Sequence, residues 1–104
     1  MRSRDAYQAH LNVLKALAAA EAAATTDDLA VRLGQVIATV RDELFEMVKS
    51  DLENSAKDYA PLTARLRSST KELTWLKDRT DEITKNADTA ATIVGWATSI
   101  LSIL

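Results

Sequence analysis

His10 is the only imidazole in the chain, and its polar neighbours are Gln8 and Asn12, with no carboxylate at helical spacing. A lone imidazole holds no metal without further ligands and needs an orienting partner for acid-base work. Glu43 and Glu46 stand three apart, a spacing that puts both carboxylates on one side of a helix. The carboxylate pattern of di-metal bundles asks for Glu-x-x-His, however, and no His follows either acid. These acids therefore read as a solvated helix face, with Glu46 and Lys49 as an intrahelical pair. No Cys is present, which removes thiolate chemistry and disulfides together. The glycines, Gly34 and Gly95, are isolated within helical patterns and build no phosphate-cradling loop, and no Ser occupies a glycine-flanked turn. The sequence thus assigns no catalytic, cofactor-binding or metal-binding residue, and enzymatic activity is not expected.

What remains is a set of helices and the surfaces they offer. Two Gly and one Pro leave little turn chemistry in 104 residues, so the elements should be few and long. Hydrophobic residues reach 47% but aromatics only 5%, with Ala supplying much of the apolar content; the seams should be narrow. A net charge of -2 provides no positive field for a phosphate backbone, which argues against nucleic acid as a partner. Residues 25–60 carry eight acids against four bases, and residues 61–88 six bases against five acids, mildly complementary if the two segments run antiparallel.

The first helix is expected over residues 3–24, capped by Ser3, with Tyr7, Leu11, Leu14 and Ala18 on one stripe. Thr25-Thr26-Asp27-Asp28 reads as a break and a new cap. The second helix is expected over residues 27–59, where Leu29, Leu33, Val36, Ile37, Val40, Leu44, Met47 and Val48 share a face that weakens after Asp51. Ala60-Pro61 then turns the chain. From Leu62, an unbroken four-three alternation runs through Leu66, Ser69, Leu73, Leu76, Thr80, Ile83, Ala87, Ala90, Val94, Ala97 and Leu101. As one helix over residues 62–103 this heptad seam would extend roughly 60 Å. A competing reading breaks it at Lys85-Asn86-Ala87-Asp88, where Asn and Asp suit a cap.

No charged residue follows Asp88, and residues 89–104 form an apolar tail with a narrow polar stripe of Thr92, Gly95, Ser99 and Ser102. Small residues also recur every fourth position at Ala87, Ala91, Gly95 and Ser99, the spacing that allows close helix approach. The expected fold is all-α: an elongated antiparallel bundle or coiled coil of three helices, four if the last one breaks, with residues 87–104 projecting. A tail so apolar should be covered by a second copy, dimer favoured, or by a partner protein's helix. The interaction surface is accordingly assigned to Leu66, Leu73, Leu76, Ile83, Val94, Trp96, Ala97, Ile100 and Leu101. The function expected is a non-enzymatic structural or protein-interaction module. The alternatives are a membrane-associated protein presenting its C-terminal helix and Trp96 to lipid, and an immunity or chaperone-type protein covering a partner's helix. No secretory signal is read at the N-terminus, so a cytoplasmic location is expected, with peripheral membrane attachment under the membrane reading.

Overall fold

The computed structural model describes every residue from Met1 to Leu104, and it is all-helical. Its helices are α1 (Ser3–Ala22), α2 (Asp27–Lys49), α3 (Ala64–Arg67), α4 (Thr70–Asp78), α5 (Thr80–Ile83) and α6 (Ala87–Leu101). α1 packs against both α2 and α6, α4 packs along α6, and the short α5 touches both α4 and α6. The long helices thus follow the spatial order α2, α1, α6, α4, and one cluster of 20 buried apolar residues runs through them.

Local chemistry explains where each element begins and ends. Thr26 caps α2, its hydroxyl oxygen accepting from the Leu29 N–H at 3.2 Å, while Asp27 and Asp28 lie in the positive first turn. α2 stops at Lys49, short of the expected residue 59. Asp51 adopts φ 57°, the Leu52 N–H donates to the Met47 carbonyl at 2.8 Å, and the Asp51 N–H donates to Val48 at 3.1 Å. This is the Schellman termination, with Asp taking the left-handed position that usually falls to Gly.

The linker that follows serves α1. Ser3 is not the cap of α1; Arg2 holds that position, and the Ser3 and Arg4 N–H groups donate to the carbonyls of Lys57 and Ser55 at 2.8 and 3.0 Å. The Ser3 hydroxyl adds a bond of 3.1 Å to the same Lys57 carbonyl. The unsatisfied donors of a helix start are thus met by backbone from the linker, fifty residues on.

The heptad seam does not make a long helix, and the elongated shape expected from it is absent: the molecule measures 39 × 21 × 20 Å. Two interruptions fall at polar seam positions. α3 ends at Arg67, just before Ser69, and α4 ends at Asp78, just before Thr80. The Ser69 hydroxyl donates back to the Leu66 carbonyl at 2.5 Å, and the Thr80 hydroxyl donates to the Leu76 carbonyl at 2.5 Å, so both polar groups are satisfied within the core. A third interruption falls at Asn86, whose side chain accepts from the Thr89 N–H at 2.9 Å and caps α6. That break shifts the helical phase. Up to Ile83 the seam faces the core, but in α6 the buried residues are Ile93, Trp96, Ala97 and Ile100, leaving Val94 and Leu101 half-buried.

Residues 87–104 do not project as expected, because α6 lies against α1 and α4 with its apolar side in the core. Its small-residue row is on the other side: Ala87, Ala91 and Gly95 are exposed, and nothing lies within 4 Å of where a Gly95 Cβ would stand. Gly95 is therefore not there to admit a neighbouring helix of this chain. Replacing Gly95 with Ala should raise the unfolding free energy by about 0.5 to 1 kcal/mol, the helix-propensity difference, in urea titrations. A loss of stability would mean that the glycine admits something this fold does not contain.

Candidate functional site

Four polar side chains from four different segments meet inside the core. His10 comes from the middle of α1, Glu43 from α2, Tyr59 from the linker and Trp96 from α6. His10 and Glu43 are fully buried, and Tyr59 and Trp96 nearly so. The Trp96 indole Nε1–H lies 2.9 Å from His10 Nδ1, His10 Nε2 lies 2.9 Å from the Tyr59 hydroxyl, and that hydroxyl lies 2.5 Å from Glu43 Oε2. Indole can only donate, so His10 Nδ1 must accept. The imidazole is therefore the neutral Nε2–H tautomer, which donates to the Tyr59 oxygen, and Tyr59 donates in turn to Glu43. The direction of every hydrogen bond in the relay follows from the one donor at its end.

Glu43 receives more than Tyr59. The Leu62 N–H donates to Oε2 at 2.9 Å, and the Thr63 N–H and hydroxyl donate to Oε1 at 3.0 and 2.9 Å. Four donors thus converge on a carboxylate with no cation beside it. The Ala60-Pro61 dipeptide keeps the chain extended there, so consecutive amides can be aimed at one side chain instead of entering a helix. The rings also pack edge to face, His10 against Tyr59 at 5.5 Å between centroids and against Trp96 at 6.0 Å.

Burial pushes the His10 pKa down to about 4, with Glu43 opposing the shift, and holds the Tyr59 hydroxyl far above its ordinary range, reinforced by its bond to Glu43. Protonating His10 would place a second N–H against the Trp96 indole, two donors face to face. Geometry and desolvation thus both favour the neutral ring.

The sequence reading of Glu43 as a solvated acid is overturned by its complete burial. A signal was present: Val36, Val40, Glu43 and Met47 follow the four-three spacing of the core face, so Glu43 occupies a core position. Its proper partners were not visible, since Tyr59 and Thr63 lie in a linker read as helix and turn. His10 has no carboxylate at helical spacing on α1, and it reaches one through Tyr59 from across the fold.

The residues assigned to an interaction surface are mostly inside this chain's own core. Leu66, Leu73, Leu76, Ile83, Trp96, Ala97 and Ile100 are buried, and Val94 and Leu101 partly so. Two other features face solvent. A cleft of about 500 Å³ opens beside α2, floored by Val36, Leu66, Leu73 and Trp96 and rimmed by Gln35 and Arg65. Near it, the Arg32 guanidinium lies 4.0 Å over the Trp75 ring and 3.4 Å from Glu72, joining α2 to α4. The second feature is the outward side of α2, where Val31, Phe45 and Val48 are 62%, 67% and 47% exposed.

No group of His, Cys, Asp and Glu side chains gathers as a metal site, and no helix is long and apolar enough to cross a membrane. No family model matches the chain, and no curated protein or solved structure is significantly similar to it. The protein is therefore defined by its own geometry: an all-helical fold with one core, closed by a buried Trp-His-Tyr-Glu relay.

Two outcomes test that relay. Glu43→Gln turns one acceptor into a donor aimed at N–H groups, and should cost about 3 kcal/mol of stability. In the same variant, amide exchange at Leu62 and Thr63 should accelerate; unchanged protection would mean these amides do not depend on the carboxylate. The second outcome concerns pH. The unfolded chain protonates His10 as pH falls through 6.5, whereas the folded chain resists until about 4. Between those values the folded state loses stability, by about 3 kcal/mol in total. His10→Gln lacks this component, so its stability deficit relative to the parent should shrink as pH is lowered from about 7 to about 4.5. A deficit that stays constant across urea titrations in that range would show that His10 is not the titrating group.

Proposed function

We propose that the chain is a non-enzymatic protein-interaction module that works by helix packing and associates with copies of itself. The observation that supports this reading is the outward face of α2. Isolated exposed apolar residues are ordinary on protein surfaces. Here Val31, Phe45 and Val48 are spread along one helix, the longest in the chain, and one of them is a Phe two-thirds exposed. A helix side meant only for water would carry charge at those positions.

The buried relay supports the same reading from another direction. Its members satisfy one another and are closed off from solvent, which suits a device that holds the fold together. The C-terminal helix has its apolar side in the core, which supports assigning self-association to the outward side of α2.

Truncation at Asp88 is not a useful test, because it removes Ile93, Trp96, Ala97 and Ile100 from the core. Sedimentation of the full chain is. Its average mass should rise as concentration increases from about 10 μM to about 1 mM, the range expected of a small interface. Phe45→Ser should remain monomeric over that range with an unchanged circular dichroism spectrum, since the ring makes little contact with the core. A parent chain that stays monomeric at the highest concentration would overturn self-association.

A further inference from the structure

We propose that the occupant of the outward α2 face is α2 of a second copy, running antiparallel with Ala38 of both copies on the twofold axis. This rests on the self-association reading above and specifies its geometry. Ala38 is the middle residue of α2. At about 100° per residue, Asp27, Val31, Ala38, Phe45 and Lys49 all fall within a stripe about 40° wide. Leu33, Val36, Val40 and Met47 point to the opposite side and into the core.

Reversing the helix about Ala38 makes the stripe complementary to itself. Val31 comes opposite Phe45 of the second copy, and Asp27 opposite Lys49 of the second copy, each pair occurring twice by symmetry. Asp27, Arg41 and Lys49 make no ion pair within their own chain. The helix dipoles also run in opposite directions, and Lys49 meets the acidic start of the other helix.

A second charge relation follows from Gly34. Glu21 Oε2 of α1 lies 2.9 Å from where a Gly34 Cβ would stand, so an acid covers that side of the stripe. Arg41 falls opposite Gln35 of the second copy, one residue from Gly34, and so approaches Glu21 of the second copy. Asp42 comes opposite Gly34 of the second copy and keeps its own pairing with Arg65 at 3.4 Å. Ala38 at the centre permits close approach of the helices, and the two Val-Phe contacts fill the space on either side. A single helix pair buries little area compared with a standard interface, so the dimer should be weak, with a Kd of about micromolar or higher.

The absence of Cys makes the register directly testable. Ala38→Cys places two thiols on the axis, within disulfide reach, and should give a covalent dimer on mild oxidation much faster than Lys71→Cys, an exposed position on α4. Lys49→Asp should weaken association about three- to tenfold, and adding Asp27→Lys should restore it. Each variant is first checked by circular dichroism. Rapid Ala38→Cys cross-linking with restoration by the charge swap supports the register. A dimer that forms but cross-links no faster at Ala38→Cys than at Lys71→Cys overturns the register and leaves self-association standing. A chain monomeric at every concentration overturns both.

Discussion

A carboxylate on the core face of a helix must find its hydrogen bonds inside the protein, because burying it unsupported costs several kcal/mol. Glu43 is in that position on α2, and everything that supplies its donors comes from residues 59–63. That segment cannot be helical and still aim the Leu62 and Thr63 amides at a side chain. The Schellman turn at Asp51 and the Ala60-Pro61 dipeptide keep it out of the helix. The linker is thus an ordered part of the core boundary, held by the charge it surrounds.

From that fixed linker the rest of the packing follows. Its carbonyls at Ser55 and Lys57 accept from the first amides of α1, and its Tyr59 oxygen accepts a hydrogen bond from His10 Nε2–H. His10 then offers its one remaining lone pair to Trp96, joining residues 86 apart in sequence and tying α6 to α1. An apolar set of similar volume would bury as well and could be as stable. What polar matching adds is selectivity: the relay closes only when α1, α2, the linker and α6 are in register together. That matters in a chain whose Ala-rich helices offer few large side chains to fix their relative positions.

The all-helical class was legible from Gly and Pro scarcity and from periodicity, and the caps at Thr26 and Asn86 were legible as local chemistry. The competing break at Lys85-Asn86-Ala87-Asp88 is the one the structure has, whereas the interruptions near Ser69 and Thr80 were not expected from the regular seam. Ser69 and Thr80 keep the seam's spacing and its burial although a helix ends just before each of them, so pattern and continuity separate. After Asn86 the phase changes, and Ile93 replaces Val94 in the core. The candidate site was half legible. Glu43 on the α2 core face could have been recognised from spacing alone, but its donors are long-range, and nothing local marks Tyr59 or Thr63 as its partners.

Comparison with α4 shows what is particular to the outward side of α2. α4 exposes Thr70, Lys71, Thr74, Lys77 and Asp78, the polar surface of a helix finished by water. α2 exposes Val31, Phe45 and Val48 among Asp28, Gln35, Arg41 and Asp42, with Asp27 and Lys49 at its ends. α2 already buries eight residues against two on α4, so these apolar residues are additional to a large core face. A chain with so little large apolar volume gains nothing by leaving a Phe in water, since the same ring buried would contribute to a thin core. The proposed self-association would account for the placement of Phe45. A stripe with Asp27 at one end, Lys49 at the other and Val31, Ala38 and Phe45 between them is one that its own reversed copy can satisfy.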